Sequence, residues 1–167
     1  MEFTELEENR QMPNISKDSI EYMLDIIKNN NLKKVLEIGC FNGYSALKFS
    51  TVAKEVKTIE IEKFNIELAK ENFKKYKVNN IKILEGDAKQ VLKSLNEKFD
   101  LIFIDAMKNE YKEYLILSLK LIDKGFIYAD NTISHKEKMP DFFQYLKKEK
   151  LDWKELELGR GLVEIRI

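Results

Sequence analysis

Residues 33–49 read KKVLEIGCFNGYSALKF. The run from Lys33 to Gly39 is apolar and β-branched enough to be a strand, and Gly39 and Gly43 then bracket a tight turn. From Tyr44 the chain changes to helical spacing, so GYSALKFSTVAK is predicted to be a helix. A strand that turns on glycines directly into a helix is the opening unit of an open, parallel α/β sheet.

The same alternation continues outward. Strands are predicted at EVKTIEI (55–61), IKILEG (81–86), DLIFIDA (100–106) and GFIYAD (125–130). Helices between them carry Phe64, Leu68, Phe73 and Tyr76, then Ala88, Val91, Leu92 and Leu95, then Leu115, Leu119 and Ile122. DLIFIDA is almost continuously apolar, as a strand buried on both faces must be. Upstream, Ser16 reads as the N-cap of a helix with Ile20, Met23, Leu24 and Ile27 on one face, behind an N-terminal arm of residues 1–15. Downstream, the helix MPDFFQYLKKEK precedes two strands, Trp153 to Leu158 and Leu162 to Ile167, around the turn Gly159-Arg160-Gly161. The sequence therefore predicts one α/β domain over residues 1–167. Its architecture is a mostly parallel seven-stranded sheet with a C-terminal β-hairpin and helices on both faces.

Composition narrows the function classes. The 167 residues hold 29 Lys plus Arg and 29 Asp plus Glu, so global charge offers no attraction to nucleic acid or to an anionic membrane. A single cysteine, Cys40, rules out an intrachain disulfide framework or a cysteine zinc site and fits a reducing cytoplasm. The acidic start MEFTELEENR is not a signal peptide, and no apolar run reaches membrane-spanning length.

The first glycine turn selects the kind of ligand. Its spacing is G-x-x-x-G, whereas a dinucleotide pyrophosphate needs a middle glycine, and Phe41 stands in that place. Glu37 before the turn suits an ammonium group better than a phosphate, and Glu60 at the end of the second strand suits a pair of ribose hydroxyls. The loop is thus read as a site for a nucleoside that carries an amino acid. Farther on, Asp105 ends the fourth strand, and Asp130 and Asn131 end the fifth. Neighbouring strands lie about 4.8 Å apart, so these side chains can converge. Two carboxylates and an amide oxygen form a hard, all-oxygen set suited to Mg2+ or Mn2+. The competing reading makes Asp130-Asn131 an ordinary turn and Asp105 a cap.

Taken in order, VLEIGCFNGYSAL, TIEIEKF, LEGDA, FDLIFIDAMKNEY and IYADN resemble the cation-dependent O-methyltransferases, the family of catechol and caffeoyl-CoA O-methyltransferases, over roughly residues 12–135. The resemblance implies a Rossmann-like class I methyltransferase fold and S-adenosyl-L-methionine as methyl donor. Glu37, Gly39, Gly43 and Tyr44 would surround the methionine part, and Ser45 would contact its carboxylate, although Ser45 also reads as a helix cap. Glu60 would bind the ribose, and Asp87 and Ala88 would border the adenine, with Asp87 also readable as a cap. Met12 would lie near the transferred methyl, and Asp105 would reach both the cofactor and the metal. Asp105, Asp130 and Asn131 would be the metal ligands and Lys108 the catalytic base. A base helps because a phenol with a pKa near 10 is a poor nucleophile at neutral pH.

The sequence departs from that family at Met107, where a second aspartate is common, at Gly125, where a glycine pair is usual, and at Arg160, where an aspartate is common. Its amino-terminal helices are also short, which implies an open site. The acceptor is expected to be a small vicinal diol of catechol type rather than tRNA. A tRNA 5-hydroxyuridine remains the alternative acceptor, and a non-catalytic S-adenosylmethionine-binding module is the alternative of another class. No membrane partner is expected, the compartment is expected to be cytoplasmic, and a homodimer is left open. His135 and Arg160 flank the acceptor side without an assigned role. Phe142, Phe143 and Trp153 are read as packing, and the lysines at 74, 75, 77 and 147, 148, 150 as solvated helix ends.

Overall fold

A strand that is apolar at every position must have both faces covered, and Leu101–Ile104 is buried at all four. In the computed structural model, which describes Phe3, Glu5, Leu6 and residues 14–167, this strand lies at the centre of a seven-stranded sheet. The elements are α1 (Lys17–Asn29), β1 (Lys34–Ile38), α2 (Tyr44–Ser50), β2 (Glu55–Glu60), α3 (Lys63–Lys75), β3 (Ile81–Glu85), α4 (Ala88–Ser94) and β4 (Leu101–Ile104). They continue with α5 (Tyr111–Ser118), β5 (Phe126–Asp130), α6 (Pro140–Lys148), β6 (Asp152–Leu156) and β7 (Leu162–Arg166). Short 3-10 turns cover Lys108–Glu110 and Lys136–Lys138.

The strand order is β3-β2-β1-β4-β5-β7-β6. The first five strands are parallel, and β7 inserts antiparallel between β5 and β6. The chain moves outward from β1 to β3, then crosses back to place β4 beside β1. The β1/β4 boundary is therefore the switch point, where an open α/β sheet has room for a ligand beyond its strand ends.

Side-chain alternation splits the core in two. Leu36, Ile38, Ile102 and Ile104 face a cluster with Leu92, Leu115 and Phe142, so α4, α5 and α6 cover that side. Val35, Leu101 and Phe103 face Ile20, Met23, Phe49 and Phe73, so α1, α2 and α3 cover the other. Phe103 meets Phe49 edge-on at 5.8 Å. On the same side Glu164 of β7 is fully buried yet accepts from Tyr22 Oη (2.8 Å) and Tyr128 Oη (2.9 Å), and is paired with Lys154 and Arg166. Burial alone would raise its carboxyl, but these donors outweigh it and hold Glu164 below the usual range. That contact ties α1 to β5 and β7.

Ser16 caps α1 as expected, accepting from Ser19 N. Pro140 occupies the first turn of α6, and Trp153 packs edge-on against Phe143. Two helices are shorter than the apolar spacing suggests. The helix α2 stops at Ser50 because Ser50 Oγ and Thr51 Oγ1 turn back onto the carbonyls of Leu47 and Lys48. The helix α5 stops at Ser118, where Leu121 N bonds to Ser118 O; Leu121 and Ile122 stay buried although they are no longer helical. Burial kept the period going after the helix had ended. No helix among the described residues is long and apolar enough to cross a membrane.

Because Phe103 is wholly enclosed on the central strand, Phe103→Ala should cost about 3–5 kcal/mol in urea unfolding with an unchanged m-value. A loss below about 1 kcal/mol would mean that the core collapses around the missing ring.

Candidate active site

The site begins with the glycine turn at the end of β1. Gly39 has φ +99°, and a Cβ there would lie 2.1 Å from the carbonyl oxygen of Asp105, so only glycine lets the β1 and β4 ends approach this closely. Gly43, at φ +79°, would drive a Cβ into the Phe73 ring at 2.5 Å. Gly43 is itself the N-cap of α2, with no side-chain cap. Ser45 is thus not the cap that its position suggested. Its hydroxyl instead donates to Glu37 Oε1, because Ser45 sits one residue inside the helix and faces β1.

Glu37 is fully buried, and Thr58, its register partner on β2, donates to its other oxygen at 2.5 Å. Burial is the main cause that pushes Glu37 up to about 8; the two hydroxyls pull it down, and Asp105 and Glu60 push it further up. Burial likewise pushes the neighbouring Cys40 thiol well above its ordinary value, so it is an inert packing group. Glu60 ends β2 with its carboxylate fixed by three backbone N–H groups, those of Phe41 (2.8 Å), Ile61 (2.9 Å) and Glu62 (3.0 Å). A carboxylate held this way keeps lone pairs for further donors.

Beyond these strand ends lies a cleft of about 350 Å³ lined by Gly39, Glu60, Asp87, Ala88 and Asp105, all expected from sequence. Phe41, in the ligand turn, and Met107, at the family's aspartate position, also line it, as do Ile61, Gly86, Glu110 and Tyr114, which were not foreseen. Gly86 and Ile61 follow strand ends, which is a signal that could have found them; Tyr114 enters from α5 and is visible only in three dimensions. A recess of about 40 Å³ continues from the cleft past Gly39 and Phe41 to Asn42, Tyr44 and Ser45. Glu37 lines neither space and lies beneath them. Asp87 does both things proposed for it, capping α4 through Gln90 N (3.0 Å) while bordering the cleft. Met12 lies outside the described residues.

The acidic end follows from strand register. Ile104 pairs with Ala129, so one residue farther Asp105 comes beside Asp130. Asp130 is 2% exposed, and burial first, then the charge of Asp105, holds its carboxyl well above the usual carboxylate range. Lys108 Nζ donates to Asp105 Oδ1 at 2.7 Å, with only 15% of the lysine side chain exposed. Asn131 takes a left-handed φ of +61° and its amide nitrogen donates to Asp130 Oδ2 at 2.9 Å. Among the described residues no three His, Cys, Asp or Glu side chains gather around one point. The hairpin tip is clipped to the following loop, with Thr132 N bonded to Gly161 O, and Ile133 N and Ser134 N to Arg160 O. Arg160 comes near enough for its charge to favour ionised Asp130, while His135 Nδ1 meets only Ser134 Oγ (2.8 Å) among the contacts described.

A sheet of this order, with a two-glycine turn, an acidic β2 terminus and no phosphate-binding third glycine, defines a Rossmann-like methyltransferase fold. The chain belongs to the O-methyltransferase family, whose model matches residues 1–148. It is 43% identical over 110 residues to O-methyltransferase ankF of Aspergillus thermomutatus, covering 60% of this chain and 46% of that protein. It is 35% identical over 117 residues to a Dictyostelium discoideum protein named probable caffeoyl-CoA O-methyltransferase 3, covering 65% of this chain and 47% of that one. The matched chain spans about half the length of these curated relatives. Among solved structures, the SAH-bound Podospora anserina methyltransferase PaMTH1 superposes with a TM-score of 0.87 at 28% identity, over 97% of this chain and 84% of that one. A Bacillus cereus O-methyltransferase in complex with SAH shares the fold, with a TM-score of 0.83 at 20% identity, over 98% of this chain and 88% of that one.

Glu37 gives the ligand-free protein a pH signature. Its folded-state value, about 8, lies above its ordinary 4.5, so the neutral form is what the fold prefers. Its contribution is whole below pH 4.5 and is lost as pH rises through about 8. The loss amounts to at most roughly 5 kcal/mol. Wild type should therefore lose stability relative to Glu37→Gln across that window in urea titrations. A pH-independent difference between the two proteins would show that Glu37 stays ionised.

Proposed function

We propose that the protein transfers a methyl group from S-adenosylmethionine to one hydroxyl of a small acceptor with two adjacent oxygens, of catechol type, with the help of a divalent cation. The observation that carries this reading is the meeting of Lys108 and Asp130 with Asp105, which lines the same cleft as Glu60. Family membership and SAH-bound structural neighbours support the donor.

In this reading Glu60 accepts the ribose hydroxyls, its three backbone donors keeping it aimed. Asp87 and Ala88 border the base, and Ile61 and Met107 give it apolar surface. Gly39, Gly43, Tyr44 and Ser45 surround the amino-acid end. Glu37 supports it from beneath: a cationic ligand overhead favours its ionised form, so binding would release a proton. The donor chemistry of Asp105, Asp130 and the Asn131 amide fits a hard, oxygen-preferring cation such as Mg2+ or Mn2+. Two crowded carboxylates, one of them buried, are the environment that such a charge relieves. A cation there supplies Lewis acidity that makes an acceptor hydroxyl easier to ionise. In this reading Lys108 accepts the proton of the acceptor hydroxyl at Nζ. Methyl transfer then forms the oxygen–carbon bond as the sulfur–carbon bond breaks, and the shielded loop contributes chiefly alignment and exclusion of water.

The lysine clusters support the small acceptor over tRNA. Lys74 and Lys75 end α3, and Lys147 and Lys148 end α6. Crossover helices run opposite to their strands, so both lysine pairs lie at the end of the sheet away from the cleft.

Two measurements test the reading. Calorimetry should detect S-adenosylhomocysteine binding, and Glu60→Ala should weaken it at least about tenfold, near 1.4 kcal/mol; affinity for NAD with none for S-adenosylhomocysteine would refute the donor site. Methylation of a catechol should stop after exhaustive EDTA treatment and return with magnesium or manganese. Asp130→Ala should lower turnover by about a hundredfold or more. Full activity without metal would remove the cation from the mechanism while leaving the donor assignment standing.

A further inference from the structure

Tyr111 is a fully buried phenol whose polar end lies in the reaction centre rather than in the core. Its Oη accepts from Lys108 Nζ at 2.6 Å and donates to the backbone carbonyl oxygen of Asp130 at 3.2 Å. Its ring also presents a face to the same ammonium, with Nζ 4.9 Å from the centroid, within cation–π range. Phe142 meets the ring edge-on at 5.9 Å and 76°, so the ring cannot swing aside without opening the core between α5 and α6. Committing the phenolic proton to the Asp130 carbonyl leaves only the oxygen lone pairs for Lys108, which fixes the sense of the contact.

A lysine side chain has about 2 kcal/mol of rotamer freedom to lose before it can hold one position. Lys108 starts a short 3-10 turn, so its local backbone restrains it little. Beyond Asp105 Oδ1, the contacts described for Lys108 are those with Tyr111. We infer that Tyr111 is a positioning residue: its hydroxyl and ring hold the Lys108 ammonium at the junction of Asp105 and Asp130 and tie that loop to the end of β5. This rests on the proposed role of Lys108 as the base. Tyr111 itself reaches no ligand space and takes no proton in the reaction. It stands three residues after Lys108, so one turn of chain carries both the reacting group and its restraint.

Tyr111→Phe keeps the ring and removes the hydroxyl. The first readout needs neither cofactor nor metal: acylation of lysines by a water-soluble succinimidyl ester, followed by mass spectrometry on protein shown to be folded by circular dichroism. In wild type, Lys108 should react more slowly than exposed Lys138, and in Tyr111→Phe its relative rate should rise about threefold or more as the amine is freed. Unchanged Lys108 labelling overturns the inference. The second readout is kinetic. Tyr111→Phe should lower kcat about tenfold, leave the acceptor KM within about twofold and leave S-adenosylhomocysteine affinity unchanged. The double variant Lys108→Met/Tyr111→Phe should be no slower than Lys108→Met alone, because residues acting as one unit are not additive. Losses that multiply would mean that Tyr111 is only a packing residue. If Lys108→Met keeps full turnover, the base assignment fails, and the labelling result still decides whether Tyr111 restrains Lys108.

Discussion

The close approach of β1 and β4 at Gly39 is the constraint on which the site depends. With the Asp105 carbonyl oxygen 2.1 Å from where a side chain would begin, no residue other than glycine lets the two strand ends meet. That contact brings the loop with Asp105 and Lys108 over the turn with Phe41 and Gly43, so one wall of the cleft is built from both sides of the switch point. Parallel pairing with β2 and β5 then adds Glu60 on one flank and Asp130 on the other.

Gathering acids at the edge of a sheet covered on both faces has an electrostatic cost. Glu37 and Asp130 are both pushed toward their neutral forms, mainly by burial and then by each other's neighbours. A protein selected only for stability would not keep two such carboxyls there, since buried unpaired acids weaken the fold. The contrast with Glu164 is instructive. It is equally buried but is met by two tyrosines, a lysine and an arginine, and it stays below the usual carboxylate range. Glu164 therefore fastens the structure, whereas Glu37 and Asp130 hold unmet demand for positive charge at the place where the proposed methyl donor and cation both bring it.

The two sides of the site are held differently. Glu60 is locked by backbone donors and Asp87 by its cap, so the proposed nucleoside side is held in place by local hydrogen bonds. The proposed acceptor side is built from loops: the 3-10 turn at Lys108 and the segment after Asp130, clipped to the Arg160 hairpin tip by backbone bonds. Loops on a rigid scaffold are where acceptor preference can change without disturbing the fold.

The sequence by itself determined the βα order, the central position of Leu101–Ile104, the hairpin at Gly159–Gly161 and the absence of a pyrophosphate loop. Each of these is written in local period or in glycine spacing, and local sterics suffice to read it. It also marked Gly39, Glu60, Asp105 and Lys108, because strand ends at a switch point are few and their residue types stand out. Only the tertiary structure decided what the neighbours of those residues do. Ser45 looked like a cap and turned out to serve Glu37, since helix phase and the β1/β2 register, not sequence adjacency, set which side chains meet. Leu119 and Ile122 kept a helical period beyond the end of α5, because burial and helix formation impose the same pattern. Tyr111, given no role by the sequence, became the link between Lys108 and β5 through the β4/β5 register. Burial and long-range register have no local signature, so the acids' raised protonation and the restraint on Lys108 emerge only when the strands are assembled.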